Sequence, residues 1–177
     1  MTTFLYILAA VLILVIVLGL IAPKTYKVNR KISINKPINE VFEYLKFLKN
    51  QDAWSPWMRK DPNMKKNFSG TDGTSGFLSR WEGNKEVGSG EQEITRIVDN
   101  EIIESKLRFF KPYKSESDAY ISVKASGGDV TEVNWGFSGN NKFPMSIMML
   151  FMNMDKMVGK EFEEGLSSLK SIMEESK

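Results

Sequence analysis

Residues Phe4 to Ala22 read FLYILAAVLILVIVLGLIA, nineteen residues without a charge. As a helix rising ~1.5 Å per residue they extend roughly 28 Å, about the hydrocarbon thickness of a bilayer. No face of such a helix is polar, so a place inside a globular core would require partners all round. A secretory signal fits less well. Met1-Thr2-Thr3 carries no Lys or Arg, the apolar run exceeds the usual ~7–15 residues, and Leu20-Ile21-Ala22 is a poor small-x-small cleavage site. The pattern predicts a transmembrane anchor over residues 1–23, with Phe4, Leu12, Val17 and Ile21 in lipid, and one domain over residues 24–177. A signal peptide and a core helix are the alternatives.

Lys24, Lys27, Arg30 and Lys31 follow the apolar run, and no basic residue precedes it. Lys and Arg close to a span tend to stay on the cytoplasmic side. A single-pass membrane protein with a cytoplasmic domain and an outward N-terminus is therefore expected, with Lys24 and Lys27 at the headgroups. The same charges also suit the exposed face of a first strand.

The 154 residues after Pro23 suffice for one domain with a real core. Lys and Arg number 24 against 22 Asp and Glu, which is no footprint of a nucleic-acid binder. There is no Cys, so disulfides, thiolate metal sites and Cys nucleophiles are excluded. There is no His either. A Ser-His-Asp triad, a His zinc site and His-ligated haem are thus impossible, and neither a metal nor a cofactor is expected. An enzyme would have to use a carboxylate, a Lys or a Tyr with a shifted pKa.

Past Pro23, Tyr26 to Ile34 alternates Tyr26, Val28, Arg30, Ile32 and Ile34 against Lys27, Asn29, Lys31 and Ser33. Apart from Arg30 the first set is apolar, which is strand periodicity. Pro37 marks a helix start, and Val41, Phe42, Leu45 and Leu48 form one helical face. Asn50 to Pro62, broken by Pro56 and Pro62, predicts a short helix and a loop. Alternating runs then follow through Gly76–Trp81, Val87–Val98, Glu101–Phe110, Ala119–Ala125 and Val133–Phe137, separated by Gly- and Asp-rich turns. Gly88 and Gly90 predict a bulge. Phe151, Met154, Val158, Phe162, Leu166, Leu169 and Met173 recur at intervals of three and four, so a long amphipathic helix is expected within the segment Phe143–Lys177. Its polar face, including Glu161, reads as solvated. The economical solution is an α+β fold with one twisted antiparallel sheet on one long helix.

The order of these pieces resembles the START-like superfamily, also called the polyketide cyclase/dehydrase and lipid transport (SRPBCC) group, over about Tyr26 to Ile172. The resemblance rests on YKVNRKISINKPINEVFEYL, on WSPW at Trp54–Trp57, on the Asp72-Gly73 turn and on WEGNKEVGSGEQEI from Trp81 to Ile94, together with the terminal helix. It implies a helix-grip fold: a curved seven-stranded antiparallel sheet wrapped around a long C-terminal helix, with an apolar cavity between them. Members bind lipids, sterols, polyketides or hormones, so it implies a pocket and not a reaction.

On that resemblance the cavity candidates are Trp57, Phe77, Trp81, Leu107, Phe109, Ile121, Trp135, Phe137, Met148 and Met152. Met145 to Met157 holds six of the ten methionines, a flexible apolar lining for a cavity, its mouth or a membrane contact, or ordinary core. Trp81 and Trp135 either line the cavity or plug it. Arg80 and Arg108 fall on the face opposite to their apolar neighbours. The reading is a membrane-anchored binding domain for a hydrophobic small molecule or lipid, with no nucleic acid as partner. Two alternatives stand: a cyclase or hydrolase using Glu82, Glu91 or Tyr120, or a protein-interaction module with a vestigial cavity.

Overall fold

The computed structural model describes residues 2–175. It opens with helix α1, Thr2–Ile21. None of its residues is buried, and its apolar side chains face outward on every side, which removes the core-helix alternative. Among the described residues it is the one helix long and apolar enough to span a bilayer.

Strand β1, Thr25–Ile34, follows after three residues. Helix α2, Ile38–Leu45, starts directly after Pro37, whose extended backbone ends the preceding chain. A 3₁₀ turn at Leu48–Asn50 and two short helices, α3 at Gln51–Trp54 and α4 at Pro56–Lys60, lead into the sheet. Asp72 accepts from the backbone N–H groups of Leu48 and Lys49, fixing that turn to the β-turn region. Six strands come next: β2 Lys65–Ser69, β3 Leu78–Glu82, β4 Ser89–Val98, β5 Ile102–Lys111, β6 Ser115–Ala125 and β7 Thr131–Asn140. They form one antiparallel sheet with β1, in the order β1-β7-β6-β5-β4-β3-β2. The register of β4 on β5 shifts between Ser89 and Gly90, at the Gly-rich site that predicted a bulge, and again between Ile94 and Arg96.

The last segment departs from expectation. The Met-rich stretch is not the N-terminal half of the long helix. A one-turn helix, α5 at Met145–Met148, is followed by a break, and the long helix α6 spans Met154–Glu175. The cause is local: the Asn153 side chain accepts the Lys156 N–H and caps α6 there, with Asp155 in the first turn. Phe151, counted as the first residue of the apolar stripe, lies outside the helix and is 79 % exposed.

Helix α6 runs along β1 and β7. Its buried face of Phe162, Leu166, Leu169 and Met173 meets Val28, Ile34, Val133 and Trp135 from the sheet, while Val41, Phe42 and Leu45 of α2 close the other side of the core. Arg30, the polar exception in the first strand, turns toward α6. Its guanidinium donates to Asp155 at 2.7 and 3.0 Å and to Glu163 at 2.5 Å. Gly159 makes room for it, since a Cβ there would overlap Arg30 Nη2.

Candidate functional site

Pairing register sorts the concave face into rows. One row runs Arg30, Trp135, Ile121, Ile103, and the next Val28, Phe137, Ala119, Ser105. A third runs Tyr26, Gly139, Ser117, Leu107, Gln92, Ser79, and the last Ser115, Phe109, Gly90, Trp81. The first two rows lie under α6 and are filled. Phe162 stacks on Trp135 at 4.1 Å between centroids with the planes 5° apart, and leans on Phe137 at 5.6 Å. Trp54 and Trp57 meet Trp135 edge-on at 4.8 and 5.8 Å. Trp135, Phe137 and Ile121 are buried, so rings occupy the space between sheet and helix at this level. Phe77 is buried too, stacked on Phe68 at 5.9 Å at the β2–β3 corner.

The last two rows lie beyond the start of α6. Here Leu107, Gln92, Trp81 and Phe109 are only half-buried. Trp81 lies against Gly90 and meets Phe109 edge-on at 5.7 Å. The structure therefore gathers Trp81, Leu107 and Phe109 at one end of the concave face, the apolar part of a trough whose other lining is Ser79, Gln92 and Ser117. Trp57 is half-buried on the side of the aromatic plug.

This is the end from which α1 departs. A recess of about 370 Å³ opens there between the start of β1 (Thr25, Tyr26, Lys27) and residues Met149 to Asp155. Met152 lines it; Met148, on α5, does not and is exposed. Tyr26 forms the wall between recess and concave face. Its hydroxyl lies 2.6 Å from Ser117 Oγ, and burial pushes the phenol above its ordinary pKa. A second recess of about 350 Å³ borders Lys27, Asp118 and Ser138. Among the described residues, neither recess is enclosed between sheet and α6.

The charged groups of β3 and β4, with Arg108 of β5, alternate away from the trough. Glu91 is buried on the convex side, accepting from Arg80 Nε at 2.8 Å and Arg108 Nη1 at 3.0 Å. These guanidiniums, Arg80 foremost, hold its carboxyl below the usual carboxylate range. Glu82 and Tyr120 also alternate away from the trough; Tyr120 meets Asn134 at 3.4 Å. Glu161 corrects the sequence reading. It is not on the solvated face but half-buried, with Oε1 on Lys60 at 3.0 Å and Oε2 buried without a hydrogen-bond partner. The buried indole N–H of Trp54 is likewise unpartnered. The signal for Glu161 was its spacing four residues before Gly165, on the flank facing α4. No group of three or more acidic side chains that could hold a metal occurs among the described residues.

No protein-family model and no curated protein matches the sequence. Solved structures do match in shape. Truncated norcoclaurine synthase from Thalictrum flavum superposes with a TM-score of 0.67 at 9 % identity, covering 89 % of this chain and 98 % of that one. Major latex-like protein 151 from Panax ginseng gives 0.60 at 10 % identity, over 85 % and 99 %. The Aha1 dimer from Colwellia psychrerythraea gives 0.59 at 14 % identity, over 86 % and 98 %. With the seven-stranded antiparallel sheet and the long terminal helix, these likenesses show that the chain has the helix-grip fold.

Proposed function

We propose that this chain is a membrane-anchored module that binds a hydrophobic small molecule or lipid at the α1 end of its helix grip. The observation that carries the reading is the trough: Trp81, Leu107 and Phe109 remain half-open to solvent on the concave face, at the end of the sheet from which an uncharged helix with no buried residue departs. Affinity would come from removing this apolar area from water, at ~25 cal/mol per Å² before ordering costs. Fold neighbours lend support, since a norcoclaurine synthase structure holds dopamine and hydroxybenzaldehyde. Trp57 and Met152 flank the ligand on this reading, whereas Phe77, Ile121, Trp135 and Phe137 back the wall. Residues 1–23 anchor the domain at 24–177, and Lys24 and Lys27 keep it on the cytoplasmic side.

The cyclase or hydrolase alternative loses its three named groups, because Glu82, Glu91 and Tyr120 face away from the trough. The test of binding is solvent extraction and mass spectrometry of the full chain purified from membranes. A discrete apolar molecule should accompany the wild type and be lost in Leu107→Arg, which puts a charge in the trough. Wild-type protein that carries no such molecule, and takes none up from lipid, would overturn the reading.

A further inference from the structure

The α1 end of the domain carries exposed apolar side chains on two separate segments. Phe110, near the end of β5, and Tyr113, in the β5–β6 turn, are 44 % and 62 % exposed. Phe143, Met148 and Phe151 stand in the β7–α6 connection, at 66 %, 43 % and 79 %. Register puts both segments at one end of the sheet, since Phe109 pairs with Ser115, Ser117 with Gly139, and Asn140 with Thr25. Scattered exposed apolar residues need no explanation, but a cluster at one end does. Lys24, Lys111, Lys114 and Lys142 flank this cluster, and none forms an ion pair with a described residue.

One contact fixes the depth. The Phe143 ring lies against Gly19, 3.5 Å from where a Cβ would sit. Gly19 is three residues inside the end of the apolar run, about 4–5 Å along the helix axis. With α1 spanning a bilayer, Phe143 reaches the acyl boundary, the depth at which interfacial apolar groups are held (~5–10 Å).

Resting on the anchor reading above, we propose that these two segments form a second membrane contact. The occupant is the surface of an anionic phospholipid leaflet, the same leaflet that α1 enters. Apolar tips insert between headgroups, the lysines meet lipid phosphates, and the trough mouth is held against lipid rather than water. The absence of Cys makes the test direct, because any introduced Cys takes a nitroxide uniquely.

Full chains carrying Tyr113→Cys, Phe151→Cys, Val11→Cys or Asp129→Cys are spin-labelled. They are reconstituted in vesicles of equal parts phosphatidylcholine and phosphatidylglycerol, and oxygen and nickel-chelate accessibilities are compared. The labels at 113 and 151 should show oxygen-to-nickel ratios severalfold above that at 129, which sits on the β6–β7 turn at the far end. Lys111→Gln with Lys114→Gln should lower the docked-to-undocked ratio about fivefold per charge removed, and pure phosphatidylcholine should act in the same direction. Labels at 113 and 151 as open to nickel as that at 129, with the label at 11 protected, would overturn this contact and leave the anchor standing. A label at 11 that nickel reaches freely would overturn both. Phe110→Cys and Met148→Cys repeat the measurement, should either first label disturb folding.

Discussion

Phe162→Ala tests whether the grip is filled under α6. Phe162 is 4 % exposed and touches three other rings: stacked on Trp135, edge-on to Trp57 at 6.0 Å and tilted on Phe137 at 5.6 Å. Truncating a buried Phe removes its transfer free energy and leaves a cavity, together about 3–5 kcal/mol. Ring pairs add about 0.5–1.5 kcal/mol each beyond area. Trp135 and Phe137 sit in β7, hydrogen-bonded on both sides to β1 and β6, so two walls of the cavity cannot close. Only Trp57, on the short α4, is free to lean in. The expected loss is therefore near the top of the range, about 4 kcal/mol, a large part of a typical domain's ~5–15 kcal/mol. Urea unfolding in detergent micelles, followed by tryptophan fluorescence, measures it. Phe151→Ala, at an exposed ring, should change stability by no more than about 0.5 kcal/mol. A Phe162→Ala loss under about 1 kcal/mol, within reach of the surface control, would mean that the ring fills no space and that the helix stands off the sheet.

Two further outcomes follow from the packing and the charges. Gly165→Ala should destabilise by about 1–2 kcal/mol in the same unfolding assay, because the added methyl meets Trp135 at 2.8 Å inside the ring cluster. Gly159→Ala should stay close to wild type: Ala favours the helix over Gly by about 1 kcal/mol, and what the methyl displaces is the flexible end of Arg30, whose carboxylate partners are exposed. The reverse order would refute the packing assignment. The Glu91 carboxyl is held low in the folded state, so its contribution is present above the ordinary Glu pKa and is lost as pH falls through the folded value. Glu91→Gln should thus flatten the fall of thermal midpoint on acidification from pH ~5 downward, and a slope equal to wild type would sink that assignment.

The strands were legible because each carries its own alternation, and alternation survives any arrangement of neighbours. The outward placement of Arg80 and Arg108 came from the same signal. The start of α6 was not read correctly, because apolar spacing continues through Phe151 while the boundary is set by one capping side chain, Asn153. Trp135 as plug and Trp81 as trough wall were indistinguishable in one dimension. Both are Trp in alternating strands, and what separates them is which row the end of α6 reaches. Arg30 was visible as an exception, but its partners lie 125 and 133 residues away. Glu161 shared its helix with seven other charged residues on a presumed wet face, and only the packing of α4 singles it out.

Three residues separate α1 from β1, and they are tied down: Asn141 donates its backbone N–H to Lys24 O at 2.8 Å and its side-chain amide to Pro23 O at 3.2 Å. These bonds hold the joint to the end of β7. With α1 in a bilayer, the domain inherits the tilt of its helix, and any change in that tilt turns the whole sheet. Whatever occupies the trough would then be sampled by mole fraction within the leaflet, not by concentration in water, and a soluble acceptor would have to come to the membrane to receive it.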